Sequence, residues 1–171
     1  EEFLKSFFEF SHGKRWAVDY ETAGRLVKEP VIFSCMAVRL GYADAVLGGA
    51  AHASRDFFRP ALRLLHTNKK AFSSALFSLP DEHPEEIYQH NIVTFADVAI
   101  NVDPDPQTLA EIAVGSCRIV RDLIPESVLP YINGALLSYS TRGSAEGPSV
   151  KRIREAGKLI PPLLDELVQK N

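Results

Sequence analysis

Helical patterns alternate with short β-rich runs along this 171-residue chain, and this alternation limits the fold more than any other feature. Asp19 can cap a helix that runs to about Lys28, and Pro30 fits the start of another that ends at Gly41. Four apolar runs are predicted strands: Ala43–Gly49, Ala71–Leu79, Asn91–Ile100 and Gly134–Ser140. Strands that alternate with helices predict an α/β fold with a largely parallel sheet.

Two long helices are predicted in the second half of the chain. In the first, Asp105 is a candidate cap and Pro106 fits the first helical position. Its apolar side chains recur at helical spacing and form one stripe: Leu109, Ile112, Ala113, Ser116, Ile119, Val120 and Leu123. The second runs from Pro148 to Val168, interrupted or kinked at Pro161 and Pro162.

Composition and charge exclude several classes of protein. The chain is 46% hydrophobic and 24% charged with a formal net charge of −3, which is typical of a soluble globular protein. In residues 81–126 the cations are Arg118 and Arg121, beside an excess of carboxylates. This distribution argues against a nucleic-acid tract and favours local anion sites in the first part of the chain.

The cysteines and the apolar runs indicate the compartment. Cys35 and Cys117 both lie in apolar helical patterns, without metal-ligand spacing or a disulfide framework. No secretory signal and no membrane-spanning apolar run is present in the sequence. We therefore expect a cytoplasmic protein with two core cysteines.

Three carboxylates raise the question of a metal site. Asp97, Asp103 and Asp105 lie close together in sequence, but the prolines at 104 and 106 favour turn and cap roles. The histidines form no cluster in sequence, so we assign no metal.

The segment "GGAAHASRDFFRP" (Gly48–Pro60) is the first candidate binding site. It follows a predicted strand and leads into a helix, where glycine allows close approach of a ligand and free N–H groups attract negative charge. We expect Asp56 to cap this helix and Pro60 to lie in or near its first turn. Two interpretations of the arginines stay open. Arg55, Arg59 and Arg63 form a solvated basic face, or Arg59 binds a phosphate or carboxylate with both arms of its guanidinium.

The segment "LLSYSTRGSAEGPS" (Leu136–Ser149) repeats this order of apolar run, loop and helix. Hydroxyls and the backbone of a glycine offer hydrogen-bond donors beside a cation, which suits phosphates or a pantetheine chain: Ser138, Ser140, Thr141, Arg142, Gly143 and Ser144. A plain serine-rich turn is about equally compatible with the sequence. The segment is not a Walker loop, because no Gly-Lys-Ser/Thr ends it.

Taken together, three stretches resemble the middle portion of bacterial phosphate acetyltransferases (phosphotransacetylases) of the phosphate acetyl/butyryl transferase family. They are "ADAVLGGAAHASRDFFRPAL", "FADVAINVDPDPQTLAEIAVGS" and "LLSYSTRGSAEGPSVKRIREA". The resemblance implies an α/β/α sandwich of two lobes around a cleft, similar to isocitrate and isopropylmalate dehydrogenases, and a homodimer. Residues 1–68 would be the later part of the first lobe and residues 69–171 most of the second, with a hinge at His66–Ala71.

The resemblance also implies a reaction, which is reversible transfer of an acetyl group between coenzyme A and inorganic phosphate. Coenzyme A and acetyl-CoA would be substrates, and no cofactor would be tightly bound. Arg59 matches the family's active-site arginine and would bind the anionic substrate and stabilise the transition state. Ser54 and Arg55 beside it, together with the hydroxyl segment from Ser138 to Ser144, would bind phosphate or coenzyme A.

The sequence departs from the family at two places. The family has a further arginine before the helix that starts at Asp19, and here Arg15 or Lys14 would supply that charge, although the segment is longer by two residues. The C-terminal "SRG" segment, from which the family takes a phosphate-binding arginine, a serine and a base for the thiol, does not occur in this sequence. We therefore expect the chain alone to be inactive as an enzyme.

Two other functions fit the same motifs. A phosphate butyryltransferase would use the same chemistry with a wider acyl pocket. A non-catalytic domain that senses acetyl-CoA, like the one fused to some malic enzymes, would bind the substrate without turning it over.

Overall fold

The computed structural model describes residues 1–65, 70–79 and 91–169. The chain divides into two compact units, Glu1–Lys69 and Lys70–Asn171. Most of the predicted hinge, His66–Ala71, lies outside the described residues. The assignment of residues 1–68 and 69–171 to two lobes stays a prediction.

The described part of unit 1 is helical. Its helices are α1 (Glu2–Ser11), α2 (Tyr20–Leu26), α3 (Pro30–Arg39) and α4 (Ser54–Leu64). The carboxylate of Asp19 accepts a hydrogen bond from the N–H of Thr22 at 2.7 Å, which caps α2. Pro30 opens α3, where its missing N–H costs no helical hydrogen bond. Both helix starts confirm the sequence prediction.

The core of unit 1 collects apolar side chains from all four helices: Phe7, Ala23, Val27, Val31, Cys35, Met36 and Leu64. A cation also joins three of these helices, α1, α3 and α4. The guanidinium of Arg39 lies 3.5 Å from the centre of the Phe10 ring, and its Nη1 donates to the Leu64 carbonyl at 2.9 Å. Apolar burial and this contact together fix the C-terminal end of α4 against α3.

The predicted strand Ala43–Gly49 is wrong. This segment has no regular secondary structure, and the side chain of Leu47 is fully exposed while Val46 packs partly against the core. A strand needs a neighbouring strand for its N–H and C=O groups, and the described residues of unit 1 contain helices only.

Unit 2 contains an antiparallel pair of strands. Strand β1 (Ser74–Ser78) pairs with β2 (Ile92–Ala96), with Ser74 opposite Ala96 and Ser78 opposite Ile92. Both strands were predicted, but the largely parallel sheet is wrong for the described residues. Strands that follow each other in sequence commonly pair antiparallel, and β1 and β2 do so here.

The predicted strand Gly134–Ser140 is also wrong. The segment runs without regular secondary structure, and among the described residues it joins neither β1 nor β2. Its large side chains Leu137 and Tyr139 are exposed. An apolar run with these residues becomes a strand only where tertiary packing covers it, so composition alone was misleading.

Two helices complete unit 2, α5 (Pro106–Leu123) and α6 (Pro148–Gln169), and they pack against each other. Asp105 caps α5 and Pro106 is its first residue, as predicted. The predicted stripe is only partly right, because Leu123 is exposed whereas a second set of side chains is buried: Thr108, Ala110 and Val114. The buried surface is wider than one stripe because α5 packs against β2 as well as α6. Helix α6 continues through both prolines.

Candidate functional site

The segment Gly48–Pro60 leads into α4, and the helix begins earlier than the sequence predicts. It starts at Ser54 after Ala53, and no side chain caps it. Asp56 therefore lies in the first turn instead of capping the helix, and Pro60 lies inside the helix. No described side chain accepts from the first N–H groups of α4. The Asp56 N–H donates to the Ala53 carbonyl, and the N–H groups of Ser54 and Arg55 remain to attract negative charge.

The arginine face of α4, defined as Arg55, Arg59 and Arg63, is exposed as predicted. The guanidinium of Arg63 lies 5.6 Å from the centre of the Trp16 ring. Arg55 and Arg59 make no hydrogen bond or ion pair with any residue that the structure describes. Two guanidinium groups are therefore available to a bound anion, and the exposed Ser54 lies one residue before them.

Arg15 lies in the exposed loop between α1 and α2. The neighbouring Trp16 contacts Arg63, which brings this loop beside α4. Lys14, the other cation proposed for this position, lies 5.3 Å from the Phe10 ring centre. Of these two cations, Arg15 is therefore the one whose charge does not lie over an aromatic ring among the described residues.

The two glycines before α4 have an internal explanation. A Cβ atom on Gly48 would lie 2.8 Å from the Phe57 ring, and Gly49 has a φ of +109°, a conformation that other residues rarely adopt. The loop thus needs glycine to fold against Phe57. The expectation that these glycines bring the backbone close to a ligand stays a prediction.

In unit 2, the hydroxyl loop (residues 138–144) is closed by the side chain of Ser140. Its Oγ donates to the Ala145 carbonyl at 2.9 Å and accepts from the Ala145 N–H at 3.0 Å. The Ser140 N–H donates to Ser138 Oγ at 3.2 Å, and the Ser144 N–H donates to the Thr141 carbonyl at 3.0 Å. Thr141, Arg142 and Gly143 form a 3-10 turn inside this ring.

The loop still offers free donors. Thr141 and Ser144 are exposed, and their hydroxyls have no hydrogen-bond partner within the described part of the chain. Gly143 has a φ of +83°, which a glycine adopts without strain. The structure therefore separates the hydroxyl that holds the loop, on Ser140, from the hydroxyls that face solvent.

The C-terminal side of the loop is attached to α6. The Tyr139 hydroxyl donates to the Glu146 carbonyl at 3.2 Å, and Arg154 Nη1 donates to Glu146 Oε1 at 2.6 Å. A Cβ atom on Gly147 would overlap the Tyr139 hydroxyl, so a larger residue there would displace the Tyr139 side chain from the Glu146 carbonyl.

A groove of about 360 Å³ lies beside the hydroxyl loop. Its lining is mainly apolar, with Val102, Leu109 and Leu137 among its members, and Ser138 reaches it from the loop. Arg152 also lines it, but its Nη1 is paired with Asp103 and donates to the Pro104 carbonyl at 3.2 Å. The groove thus combines an apolar lining with the guanidinium of Arg152, whose charge Asp103 neutralises.

Asp97 is the centre of a group of hydrogen bonds, a role that the sequence did not predict for it. Directly after β2, it accepts from the N–H and hydroxyl of Ser73 and from the N–H and side-chain amide of Asn101. Burial would raise the pKa of this carboxyl, but the hydrogen bonds from Ser73 and Asn101 outweigh burial and hold the pKa well below its usual range. An aspartate inside a predicted strand was the available signal, because strands rarely contain one.

The other carboxylates considered for a metal have structural partners. Asp105 accepts from the N–H of Thr108 at 2.7 Å as the cap of α5, and this hydrogen bond lowers its pKa. Asp103 pairs with Arg152. Within the described residues, no group of three or more His, Cys, Asp or Glu side chains is placed to hold a metal ion.

The two cysteines do not have the environment of nucleophiles. Burial raises the pKa of both the Cys35 and the Cys117 thiol. A reactive cysteine needs a lowered pKa and access to solvent, so both fit the predicted packing role.

None of the helices described here is long and apolar enough to cross a membrane.

Comparison with known proteins shows one consistent relationship. A phosphate acetyltransferase of Thermoanaerobacterium thermosaccharolyticum is 31% identical over 167 residues, which cover 98% of this chain and 49% of that protein. A phosphate acetyltransferase of Bacillus subtilis is 34% identical over 170 residues, covering 98% of this chain and 47% of that protein. The chain therefore spans about half the length of the curated relatives it matches.

Solved structures agree. A phosphotransacetylase from Streptococcus pyogenes matches 95% of this chain and 46% of its own length with a TM-score of 0.69 and 32% identity. The EutD phosphotransacetylase from Staphylococcus aureus matches 96% of this chain and 46% of its own length with a TM-score of 0.71 and 33% identity. These neighbours support the α/β fold class. The sequence model of the phosphate acetyl/butaryl transferase family matches residues 1–168, so the chain belongs to this family.

Proposed function

We propose that the protein catalyses, or forms part of an enzyme that catalyses, reversible transfer of an acetyl group between coenzyme A and inorganic phosphate. The family match over residues 1–168 carries this proposal, because it includes both α4 and the hydroxyl loop. The relatives at 31–34% identity are named phosphate acetyltransferases, which supports the acetyl group as substrate.

Arg59 binds the phosphate group in this proposal. Its guanidinium is exposed and makes no ion pair within the described residues, so both of its arms can face an anion. Arg55, Ser54 and Arg15 add positive charge and a hydroxyl on the same unit. Stabilisation of the charge that develops in the transition state is the role assigned to Arg59.

The hydroxyl loop binds the substrate through its free donors. Thr141 and Ser144 offer hydroxyls, and Ser138, Arg142 and the backbone of Gly143 lie in the same loop. Ser140 keeps these donors in place by its two hydrogen bonds to Ala145. Donors that are ordered before the substrate binds stabilise an oxyanion without further reorganisation.

The reaction is a direct exchange at the acetyl carbon. The thiolate sulfur of coenzyme A attacks the carbonyl carbon of acetyl phosphate and forms a C–S bond. The C–O bond to phosphate breaks, and phosphate leaves with the electron pair. Both substrates are anionic, so cationic side chains and hydrogen-bond donors are the groups that this exchange requires.

The finer architecture belongs to the same proposal. We infer two lobes in an α/β/α sandwich resembling isocitrate dehydrogenase, a homodimer, a cytoplasmic location and no tightly bound cofactor. The exposed aromatic pair Phe77 and Phe95 on the two-stranded sheet supports association with a further chain. Light scattering coupled to size exclusion tests the dimer, and a strict monomer contradicts it.

The function is tested by following acetyl-CoA formation from acetyl phosphate and coenzyme A. The assay uses the 171-residue chain and, where it is part of a longer protein, that whole protein. We expect Arg59→Ala to lower the activity of the active form by about 100-fold or more, as for loss of one transition-state donor. Arg118→Ala, on the surface of α5, is the matched control and leaves the activity unchanged. Equal activity of the two variants contradicts the role of Arg59.

Acyl-chain preference is tested in the same assay, because the family description covers acetyl and butaryl transfer. A higher kcat/KM for butyryl-CoA than for acetyl-CoA would assign the protein to phosphate butyryltransferases. A protein that binds acetyl-CoA without turnover would support the sensing domain instead.

A further inference from the structure

We propose that Arg154 is a positioning residue that sets the geometry of the hydroxyl loop through Glu146. The proposal rests on the proposed function of that loop and assigns a role to a residue outside it. Arg154 lies in the second turn of α6, and its Nη1 donates to Glu146 Oε1 at 2.6 Å.

Glu146 is the point where the loop meets the rest of unit 2. Its carbonyl accepts from the Tyr139 hydroxyl, its carboxylate accepts from Arg154, and the preceding residue, Ala145, makes both hydrogen bonds to Ser140. A movement of Glu146 therefore moves the residues that close the loop.

Arg154 also lies against the turn that carries the free donors. A Cβ atom on Gly143 would be 3.6 Å from Arg154 Nη2. The guanidinium thus lies between the Glu146 carboxylate and the backbone of Gly143. Because Arg154 lies on the helix α6, this contact holds the turn against a rigid element.

The contribution of the pair to overall stability is small. The side chains of Arg154 and Glu146 are 46% and 62% exposed, and exposed ion pairs add little to the free energy of folding. A change in turnover caused by breaking this pair therefore cannot be assigned to unfolding. Local opening of the loop is the property that the pair controls.

The first test is amide hydrogen exchange of residues 140–147 in Arg154→Gln and Glu146→Gln. We expect the Ser144 and Ala145 amides to exchange about 2- to 5-fold faster in both variants, the change expected for an exposed ion pair. Arg118→Gln breaks another exposed ion pair, with Asp122 on α5, and leaves these amides unchanged. Unchanged exchange in the two loop variants overturns the proposal, with or without enzyme activity.

The second test separates positioning from direct binding in the active form of the protein. We expect kcat to fall by about 10-fold in both variants while the KM for each substrate changes less, because misplaced donors act on the transition state. Arg154→Lys recovers part of the loss, and Arg154→Gln combined with Glu146→Gln is no worse than either alone. A loss in Arg154→Gln that Glu146→Gln does not share overturns the proposal in favour of direct contact with the substrate.

The two tests fail in different ways. If neither the parent protein nor any variant shows transferase activity but exchange rises as expected, the proposed function is wrong and Arg154 is retained only as a residue that orders the loop. If the parent is active and exchange rises while kcat stays constant, the proposed function is retained and the positioning role is wrong.

Discussion

The arginine face of α4 and the hydroxyl loop differ in how many of their polar side chains have hydrogen-bond partners. On α4, Arg55 and Arg59 are exposed and pair with no described residue. In the hydroxyl loop, Ser140 and the neighbouring Glu146 are held by several hydrogen bonds, and Asp97 elsewhere in unit 2 is held by more. A guanidinium without an ion-pair partner can bind an anion. A hydroxyl that is already hydrogen-bonded within the protein instead fixes the conformation of its loop. Substitution of Arg55 or Arg59 should therefore change binding with little effect on stability, whereas substitution of Asp97 or Ser140 should change stability.

Among the polar and glycine substitutions, the largest effect on stability is expected at Asp97. Asp97→Ala leaves the N–H groups of Ser73 and Asn101 without their acceptor and should lower the free energy of unfolding by about 2–4 kcal/mol. Chemical denaturation measures this change. Asp103→Ala removes an exposed partner of Arg152 and is the control, with an expected change within about 0.5 kcal/mol. Equal effects of the two substitutions would contradict a stabilising role for the hydrogen bonds of Asp97.

Acid should act on the same group. The folded pKa of Asp97 lies below the ordinary value of 3.8, so its contribution is complete above that pH and is lost as the pH falls below it. We expect the stability difference between the parent protein and Asp97→Ala to shrink as the pH drops from 5 through the range below 4. A difference that stays constant down to the lowest accessible pH contradicts the hydrogen-bonded carboxylate.

A smaller loss is expected at Ser140. Ser140→Ala removes the donor and acceptor that close the loop on Ala145 and should cost about 1–2 kcal/mol. Ser138→Ala is the matched control, since the Ser138 hydroxyl is more exposed and makes longer contacts. Exchange of the Ala145 amide reports the difference directly. If both variants leave that amide equally protected, the loop is not closed by Ser140.

A further loss of about 1 kcal/mol is expected for Gly143→Ala. The φ of +83° disfavours any side chain, and the new methyl group would lie close to Arg154. Gly134→Ala is the control, because nothing lies near that position and its φ is not positive. Thermal unfolding compares the two. A Gly143→Ala protein that is as stable as the parent would mean that the turn adopts another conformation.

The smallest effect on stability is expected on α4. Arg55→Ala and Arg59→Ala should each change the free energy of unfolding by less than about 0.5 kcal/mol, because neither guanidinium has a partner to lose among the described residues. Leu64→Ala, at the buried C-terminal end of the same helix, should cost about 2–5 kcal/mol and shows that the measurement detects a loss of packing on α4. A large loss for Arg59→Ala would make it a structural residue.

The sequence predicts the helices well because their signals are local. Asp19 and Asp105 cap their helices through residues three positions away, and Pro30 and Pro106 mark first positions. It predicts the strands poorly, since a strand depends on a partner far along the chain. β1 and β2 have each other, whereas Ala43–Gly49 and Gly134–Ser140 pair with no described strand.

In the candidate site, too, local features could be predicted from the sequence and contacts between distant residues could not. Helical spacing placed Arg55, Arg59 and Arg63 on one face, and the structure confirms that face. The internal bonds of the hydroxyl loop could not be predicted, because Ser140, Glu146 and Arg154 meet only after the loop folds back on α6. The hydrogen bonds of Asp97 could not be predicted, because its partner Ser73 lies just before the other strand of the pair.

Binding of an anion by Arg59, whose positive charge no described residue neutralises, is the main proposal for α4. It is tested most directly by following the side-chain Nε–H signals of the arginines by NMR while inorganic phosphate is added at constant ionic strength. We expect a saturable shift at Arg59 and a negligible one at Arg118, which already pairs with Asp122. Equal, non-saturating shifts at both arginines would contradict it.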